Sequence, residues 1–331
     1  MISYPQSIHN SWLPICAVKQ LRRKPIRRLL HGRPLVVFDG KDGPAVLEDR
    51  CPHRNAPLSN GFVQDGAIVC PYHGWAFQSD GTCSTLPGSE PTPEHCAQAV
   101  PVRVENGLVF ANLGSSPRDF VPLPYPVNDT NFDHHIWPTQ YRGSLIDGME
   151  NLLDPAHPHL MHPRIVGRNP TRVRVEVERV IHETYVECTY HEAERRRGWL
   201  PALLEGQRLQ GVGRFFGPTT CQLGFIGKDG PKLFITAVYS PQTLDDVQAI
   251  AIFSTPKGRL PAWLKGRAMV MFHDQIIRQD QEMIKAQLDN LLAFGAPKYK
   301  QGPLDFIKPS MVKLMQGETL TPKRETFTCW L

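Results

Sequence analysis

Two mixed pairs of metal-ligating residues carry the first chemistry of this chain: Cys51-Pro-His53 and Cys70-Pro-Tyr-His73, with 16 residues between them. Two thiolates and two imidazoles make four ligands of two kinds. Such a set suits a [2Fe–2S] centre in which the cysteines hold one iron and the histidines the other. Neutral imidazoles in place of anionic thiolates raise the reduction potential to about −150 to +300 mV, against about −400 mV for all-cysteine plant-type ferredoxins. A structural zinc site also takes two Cys and two His. Zinc motifs, however, keep like ligands together at spacings of roughly two to five residues, whereas each pair here is mixed. Two opposed loops, each giving one Cys and one His and stiffened by Pro52 and Pro71, would clamp the cluster between turns.

A second group follows in Asn151-Leu-Leu-Asp154-Pro-Ala-His157-Pro-His159-Leu-Met-His162. Asn151, Asp154 and His157 recur every three residues and are expected on one side of a helical segment. Leu145, Met149, Leu152 and Leu153 form the neighbouring apolar stripe. Pro155 and Pro158 distort or end the helix, which frees His157 and His162 to converge; local geometry alone equally admits His159 with His162. A carboxylate partner is expected from the long helical pattern at 262–292, which offers Asp274, Asp280, Glu282 and Asp289. Ile277, Ile284, Leu288 and Leu291 mark its buried stripe, and Asp280 falls on that face. At 100° per residue, Glu282 points about 200° and Asp274 about 120° away. A carboxylate in an apolar stripe is expensive unless it is paired or metal-bound; an internal ion pair with Arg or Lys is the competing account.

The strings Cys-Pro-His-Arg-Asn-Ala-Pro-Leu at 51–58 and Cys-Pro-Tyr-His-Gly-Trp at 70–75 closely resemble the Rieske domain of the Rieske non-haem iron oxygenases. Ala56 and Tyr72 stand where the bc-complex Rieske proteins carry an additional, disulfide-forming cysteine pair, so the oxygenase or ferredoxin kind is the better match. Asp154-x2-His157-x4-His162 and Gln279-Asp280-x3-Ile284-x2-Gln287 resemble the segments that bear the oxygenases' 2-His-1-carboxylate triad. The resemblance implies Cys51, His53, Cys70 and His73 as cluster ligands. It implies His157, His162 and Asp280 as ligands of a mononuclear Fe(II) with positions open for O2 and substrate, and it leaves His159 outside that set. It gives Asp154 a bridging role, accepting from His157 of its own subunit and from His73 of a neighbour; Asn151 joins Asp154 as a catalytic candidate.

The fold implied is α+β: an N-terminal antiparallel-β Rieske domain over 1–118, then a helix-grip catalytic domain over 119–331 with a long C-terminal helix. The function implied is that of an oxygenase component in the compact α-only monooxygenase and demethylase group. It would work as a head-to-tail homotrimer with a separate NAD(P)H-dependent reductase, a ferredoxin, or both. Its reaction would be hydroxylation or oxidative demethylation of a small aromatic or heterocyclic substrate. A cis-dihydroxylating dioxygenase is the alternative within the class, and a Rieske electron-transfer protein without catalytic iron is the rival outside it.

Composition adds limits. The chain has 331 residues, a net charge of +5 and 21% charged residues, with no polybasic tail, which gives no indication of nucleic acid. No run of 18 apolar residues is present, so no membrane-spanning helix is expected. Residues 1–38 contain no acid and seven Lys or Arg; they read as opening strands rather than a transit peptide. The six cysteines outside the cluster motif lack paired spacing, which points to reduced thiols in the cytoplasm. Gly211-Val-Gly213-Arg-Phe-Phe-Gly217 has the wrong spacing for a dinucleotide fingerprint, so electrons must come from another protein.

Alternation at Val173, Val175 and Val177, and runs at 221–226, 233–239 and 247–253, predict strands packed on the closing helix. Pro-rich residues 87–101 and 119–126 read as loops, the second as a domain link. Phe215, Phe216, Leu223, Phe225, Phe234 and Trp199 are candidates for an apolar pocket, with core packing as the competing account.

Overall fold

The computed structural model describes residues 4–21, 24–163, 174–191, 208–295 and 299–330; Val173 and Trp199 lie outside the described residues. Two compact units emerge. The first comprises Tyr4, His9–Val121 and Ser240–Leu244; the second comprises Pro5–Ile8, Pro122–Tyr239 and the chain from Asp245 onward.

The first unit is built from short antiparallel strands. β1 (Leu13–Ala17) pairs with β10 (Leu108–Ala111), which pairs with β9 (Val102–Glu105). β2 (Ile26–Leu30), β3 (Arg33–Gly40) and β4 (Gly43–Glu48) form a second sheet. β5 (Phe62–Gln64), β6 (Ala67–Val69), β7 (Ala76–Phe77) and β8 (Cys83–Thr85) form a third. Val36, Phe38, Leu47, Leu58, Ile68 and Phe77 pack into one core, and Cys51 and Cys70 belong to it. The cysteine loops are therefore anchored from behind by burial, the main favourable term in so small a structure.

The second unit is an eight-stranded sheet in the order β11-β17-β16-β15-β14-β13-β12-β18. Its members are β11 (Phe132–Arg142), β12 (Arg174–Ile181), β13 (Tyr185–His191), β14 (Arg208–Phe216), β15 (Thr220–Gly227), β16 (Gly230–Pro241), β17 (Asp246–Pro256) and β18 (Lys323–Trp330). The runs expected at 221–226, 233–239 and 247–253 are β15, β16 and β17. Nine consecutive residues of β16 and eight of β17 are buried, as central strands covered on both faces should be.

A short helix α1 (Gln6–His9) precedes the strands; α2 (Leu145–Leu153), α3 (Pro158–Met161), α4 (Ala262–Phe294) and α5 (Lys308–Met315) complete the second unit. α4 buries Gly266, Met269, His273, Ile284 and Leu288, with successive gaps of three, four, eleven and four residues, in the manner of a one-sided stripe. Gly266 permits its close approach to β11, because a Cβ there would sit 2.2 Å from His135 Nδ1. Among the described residues, no helix is long and apolar enough to cross a membrane.

Candidate metal centres

The two cysteine–histidine loops of the first unit follow one backbone plan. In the first, between β4 and β5, Asn55 N–H donates to Cys51 O at 2.9 Å and Cys51 N–H donates to Ala56 O at 2.9 Å. In the second, between β6 and β7, Gly74 N–H donates to Cys70 O at 3.1 Å and Cys70 N–H donates to Trp75 O at 2.8 Å. Each turn closes on a left-handed residue, Asn55 at φ 59° and Gly74 at φ 75°, which are the residue types that tolerate that region.

The turns bury both sulfurs and expose both imidazoles: Cys51 and Cys70 are 1% and 2% exposed, while His53 and His73 lie at the surface with ring centroids 4.6 Å apart. Burial and the adjacent Cys70 hold the Cys51 thiol above its ordinary range, so a thiolate there needs a bound cation.

Three supports were not legible from ligand spacing. Asp49 accepts from both the amide and the hydroxyl of Ser59 at 2.7 Å, tying down the base of the first loop. Trp75 stacks on His53 at 4.8 Å with an interplanar angle of 2°, and Tyr72 stacks on His73 at 3.8 Å. All eight cysteines are free thiols.

In the second unit, α2 starts at Ser144, whose hydroxyl accepts the Asp147 N–H at 3.1 Å, and it buries Leu145, Met149 and Leu153. The helix does not continue to His157. Pro155 forces the preceding Asp154 into extended geometry, φ −75° and ψ 119°, as the residue before proline generally must be. The expected single helical face for Asn151, Asp154 and His157 is therefore replaced by a helix end and a turn. Asp154 Oδ1 accepts the Ala156 N–H at 2.8 Å, and Pro158 starts α3 with His157 at its N-cap position.

This break brings three ligand atoms together. His157, His162 and Asp280 offer donors that all lie within 4.8 Å of one another. His162 Nε2 is 3.0 Å and His157 Nε2 is 3.6 Å from Asp280 Oδ1. Asn151 Nδ2 reaches the same oxygen at a long 3.5 Å. The opposite nitrogen of each imidazole is held by another residue: His157 Nδ1 is 3.3 Å from Asp154 Oδ2, and His162 Nδ1 is 2.7 Å from Gln279 Oε1. Both rings thus present Nε2 to one point, the arrangement by which an outer oxygen fixes tautomer and raises ligand basicity. His162 Nε2 is buried and lacks an aligned hydrogen-bond partner despite its nearness to Asp280. An orphaned buried nitrogen facing a carboxylate fits a divalent cation better than a hydrogen bond.

Burial alone would lower the His162 imidazole, but the nearby Asp280 and Gln279 oxygens outweigh it and raise it. Burial alone would raise the Asp154 carboxyl; the hydrogen bonds from His157 and the Ala156 amide outweigh it and hold it below its ordinary value.

The other acids of α4 are accounted for elsewhere. Asp274 is 42% exposed and pairs with Arg278 at 2.8 Å, Asp289 is 52% exposed and pairs with Lys285 at 2.6 Å, and Glu282 is exposed. His159 lines the same cavity but is outside the converging group. Gln279 stood in the motif read around Asp280, but no role could be read for it from the sequence.

The triad opens on a cavity of about 270 Å³. Leu223 and Phe225 line it, with Ile235, Phe253, Ile276 and Ile277. Phe215 is instead fully buried in the core, Phe216 stacks on Tyr185, and Phe234 packs against Tyr125 and Phe132.

Comparison with known proteins identifies the domain type of the first unit and a shared fold. Residues 11–101 match the family described as Rieske [2Fe-2S] domain. The chain is 29% identical over 196 residues to the vanillate O-demethylase oxygenase subunit of a Pseudomonas species, covering 54% of this chain and 53% of that one. It is 33% identical over 165 residues to aminopyrrolnitrin oxygenase of Pseudomonas fluorescens, covering 46% and 45%. It thus spans about half the length of the curated relatives it matches. The crystal structure of dicamba monooxygenase bound to dicamba superposes with a TM-score of 0.80 at 19% identity, over 93% of this chain and 98% of that one, which is agreement in fold. Residues 11–101 thus carry a Rieske [2Fe-2S] domain, and the chain is similar to oxygenase subunits over about half of their length.

Proposed function

We propose that this Rieske-domain protein is a terminal oxygenase that hydroxylates or oxidatively demethylates a small aromatic or heterocyclic substrate. The observation that carries the reading is the convergence of His157 Nε2, His162 Nε2 and Asp280 Oδ1 at the mouth of an apolar cavity. Cys51, Cys70, His53 and His73 would hold the [2Fe–2S] cluster, and the triad would hold a mononuclear Fe(II). The iron, when bound, supplies O2 activation with electrons delivered one at a time from the cluster.

Each side chain has a part in this. Asp154 and Gln279 orient the two imidazoles through their Nδ1 atoms. The apolar walls formed by Leu223, Phe225 and Phe253 exclude water from the site. The Asp154 side chain is 34% exposed, and the residue also lines a second groove beside α5. That exposure supports a further role: accepting a hydrogen bond from the surface His73 of a neighbouring subunit in a head-to-tail trimer, so that the two centres are joined through it. A separate NAD(P)H-dependent reductase, with or without a ferredoxin, would supply the electrons, in the cytoplasm.

The test is O2 uptake by iron-loaded protein with a compatible reductase and a panel of methylated aromatic and heterocyclic compounds. Substrate-dependent uptake with release of formaldehyde or a hydroxylated product is expected. A cis-diol would replace the preferred reaction with dihydroxylation. A reducible cluster that O2 never reoxidises with any compound would mark an electron carrier instead.

A further inference from the structure

Helix α4 places a further polar side chain, His273, in the cavity seven residues before Asp280. Seven residues are close to two turns, so His273 and Asp280 share a face and stand about 10 Å apart along the axis. His273 is only 9% exposed and lines the cavity. Its Nδ1 lies 2.8 Å from the Met269 carbonyl oxygen one turn back on the helix. A carbonyl can only accept, so Nδ1 carries the proton and Nε2 keeps a lone pair. The ring packs against Phe253 and Phe272, with centroids 4.9 Å from each, and this fixes its orientation. Burial pushes the imidazole down to about 4, which leaves it a neutral acceptor at any ordinary pH. No described residue donates to Nε2. An acceptor on a cavity-lining side chain, left open by its protein neighbours, is the kind of polar group that fixes a ligand's orientation.

We propose that His273 Nε2 is the substrate anchor, and that it selects a neutral single-ring molecule bearing an O–H or N–H donor on the side of the ring opposite the carbon that is oxidised. The proposal rests on the oxygenase reading of the cavity. The two residues stand about 10 Å apart along one face of the same helix, a separation on the scale of a single-ring molecule hydrogen-bonded at one end and presented to the triad at the other. A site built to accept a hydrogen bond rejects the analogue that lacks the donor more strongly than an apolar wall rejects a change of size.

Calorimetric titration of the iron-loaded protein with three probes tests this: 4-methoxyphenol, 4-methoxyaniline and 4-methylanisole, which share shape but not the donor. The wild-type protein should bind the phenol, the aniline or both about ten- to a hundred-fold more tightly than 4-methylanisole. His273→Phe should bind 4-methylanisole at least as well as wild type and show no preference. Equal binding of all three probes by the wild type, failure of both donor probes to bind, or a preference that survives in His273→Phe would overturn the proposal. The wild-type comparison stands even if His273→Phe does not fold, and His273→Leu offers a second apolar variant. The titration needs neither reductase nor turnover. Full preference without substrate-dependent O2 uptake would therefore sink the oxygenase reading and leave the anchor standing, and O2 uptake without preference would do the reverse.

Discussion

His162 Nε2 and Asp280 Oδ1 lie 3.0 Å apart without a hydrogen bond between them, one from the turn after α3 and the other from the middle of α4. Both are held from behind: the residue beside Asp280, Gln279, grips the far nitrogen of His162. One segment of α4 thus supplies a candidate ligand and also aims a second.

This double duty makes Gln279 a positioning residue with a measurable effect. Gln279→Leu should weaken iron binding by about 10- to 100-fold, the usual cost of losing such an outer partner, while Gln279→Glu, which keeps an acceptor for Nδ1–H, should retain most of it. Competition with a ferrous chelator reads this directly. Equal affinity in wild type and Gln279→Leu would show that the contact does not orient the ring.

The two sulfurs sit in the core of the first unit and the two imidazoles at its surface. Cys51→Ser should therefore abolish the visible Rieske absorption and also destabilise the first unit. His73→Ala should abolish the absorption with little effect on folding. An unchanged spectrum in either variant would remove that residue from the ligand set.

Asp154→Asn keeps size but removes the charge that holds His157 and that would favour His73 of a neighbour. Reoxidation of a pre-reduced cluster by O2 in a single turnover, with 4-methoxyphenol present, should slow by at least tenfold, with iron content near wild type. Wild-type rates at full iron would take away the bridging role, and with it the main argument for the head-to-tail trimer.

His273 gives a pH prediction. Burial lowers its imidazole from an ordinary 6.5 to about 4. Above pH 6.5 the folded and unfolded chains are both neutral at this residue and its contribution to stability is complete. As pH falls from 6.5 toward 4 the unfolded chain takes up a proton that the folded chain refuses, and stability is lost, by up to about 3 kcal/mol. His31, also lowered to about 4 by burial, adds a loss of the same sign. Denaturant unfolding at pH 7 and pH 4.5 should therefore show a smaller acid loss in His273→Phe than in wild type; identical losses would contradict a buried neutral His273.

The candidate ligand sets could be proposed from sequence because metal chemistry restricts residue types and spacing: mixed Cys/His pairs, and an aspartate set in an apolar helical stripe. Strands β15 to β17 and helix α4 were legible because their hydrophobic periods are strong. The path from Asn151 to His162 was legible in part: Pro155 was expected to distort or end the helix and does, but the pattern of three carried Asp154 and His157 onto a helical face that stops at Leu153. The roles of Gln279 and His273 were not legible for another reason. Each acts through a contact that depends on which atom faces which neighbour, Gln279 on a ring from a distant turn and His273 on a cavity that exists only once β15 to β17 and α4 have packed.

Iron and acid-labile sulfide, measured together on wild type and Asp280→Ala after ferrous loading, test the central claim of two separate metal centres most directly. The wild type should hold one iron per chain more than sulfide, and Asp280→Ala should hold iron equal to sulfide with its Rieske absorption intact; Asp274→Ala, whose carboxylate is committed to Arg278, should match wild type. Iron equal to sulfide in the loaded wild type, or an excess iron that survives in Asp280→Ala, would contradict the assignment of His157, His162 and Asp280 as a mononuclear iron site.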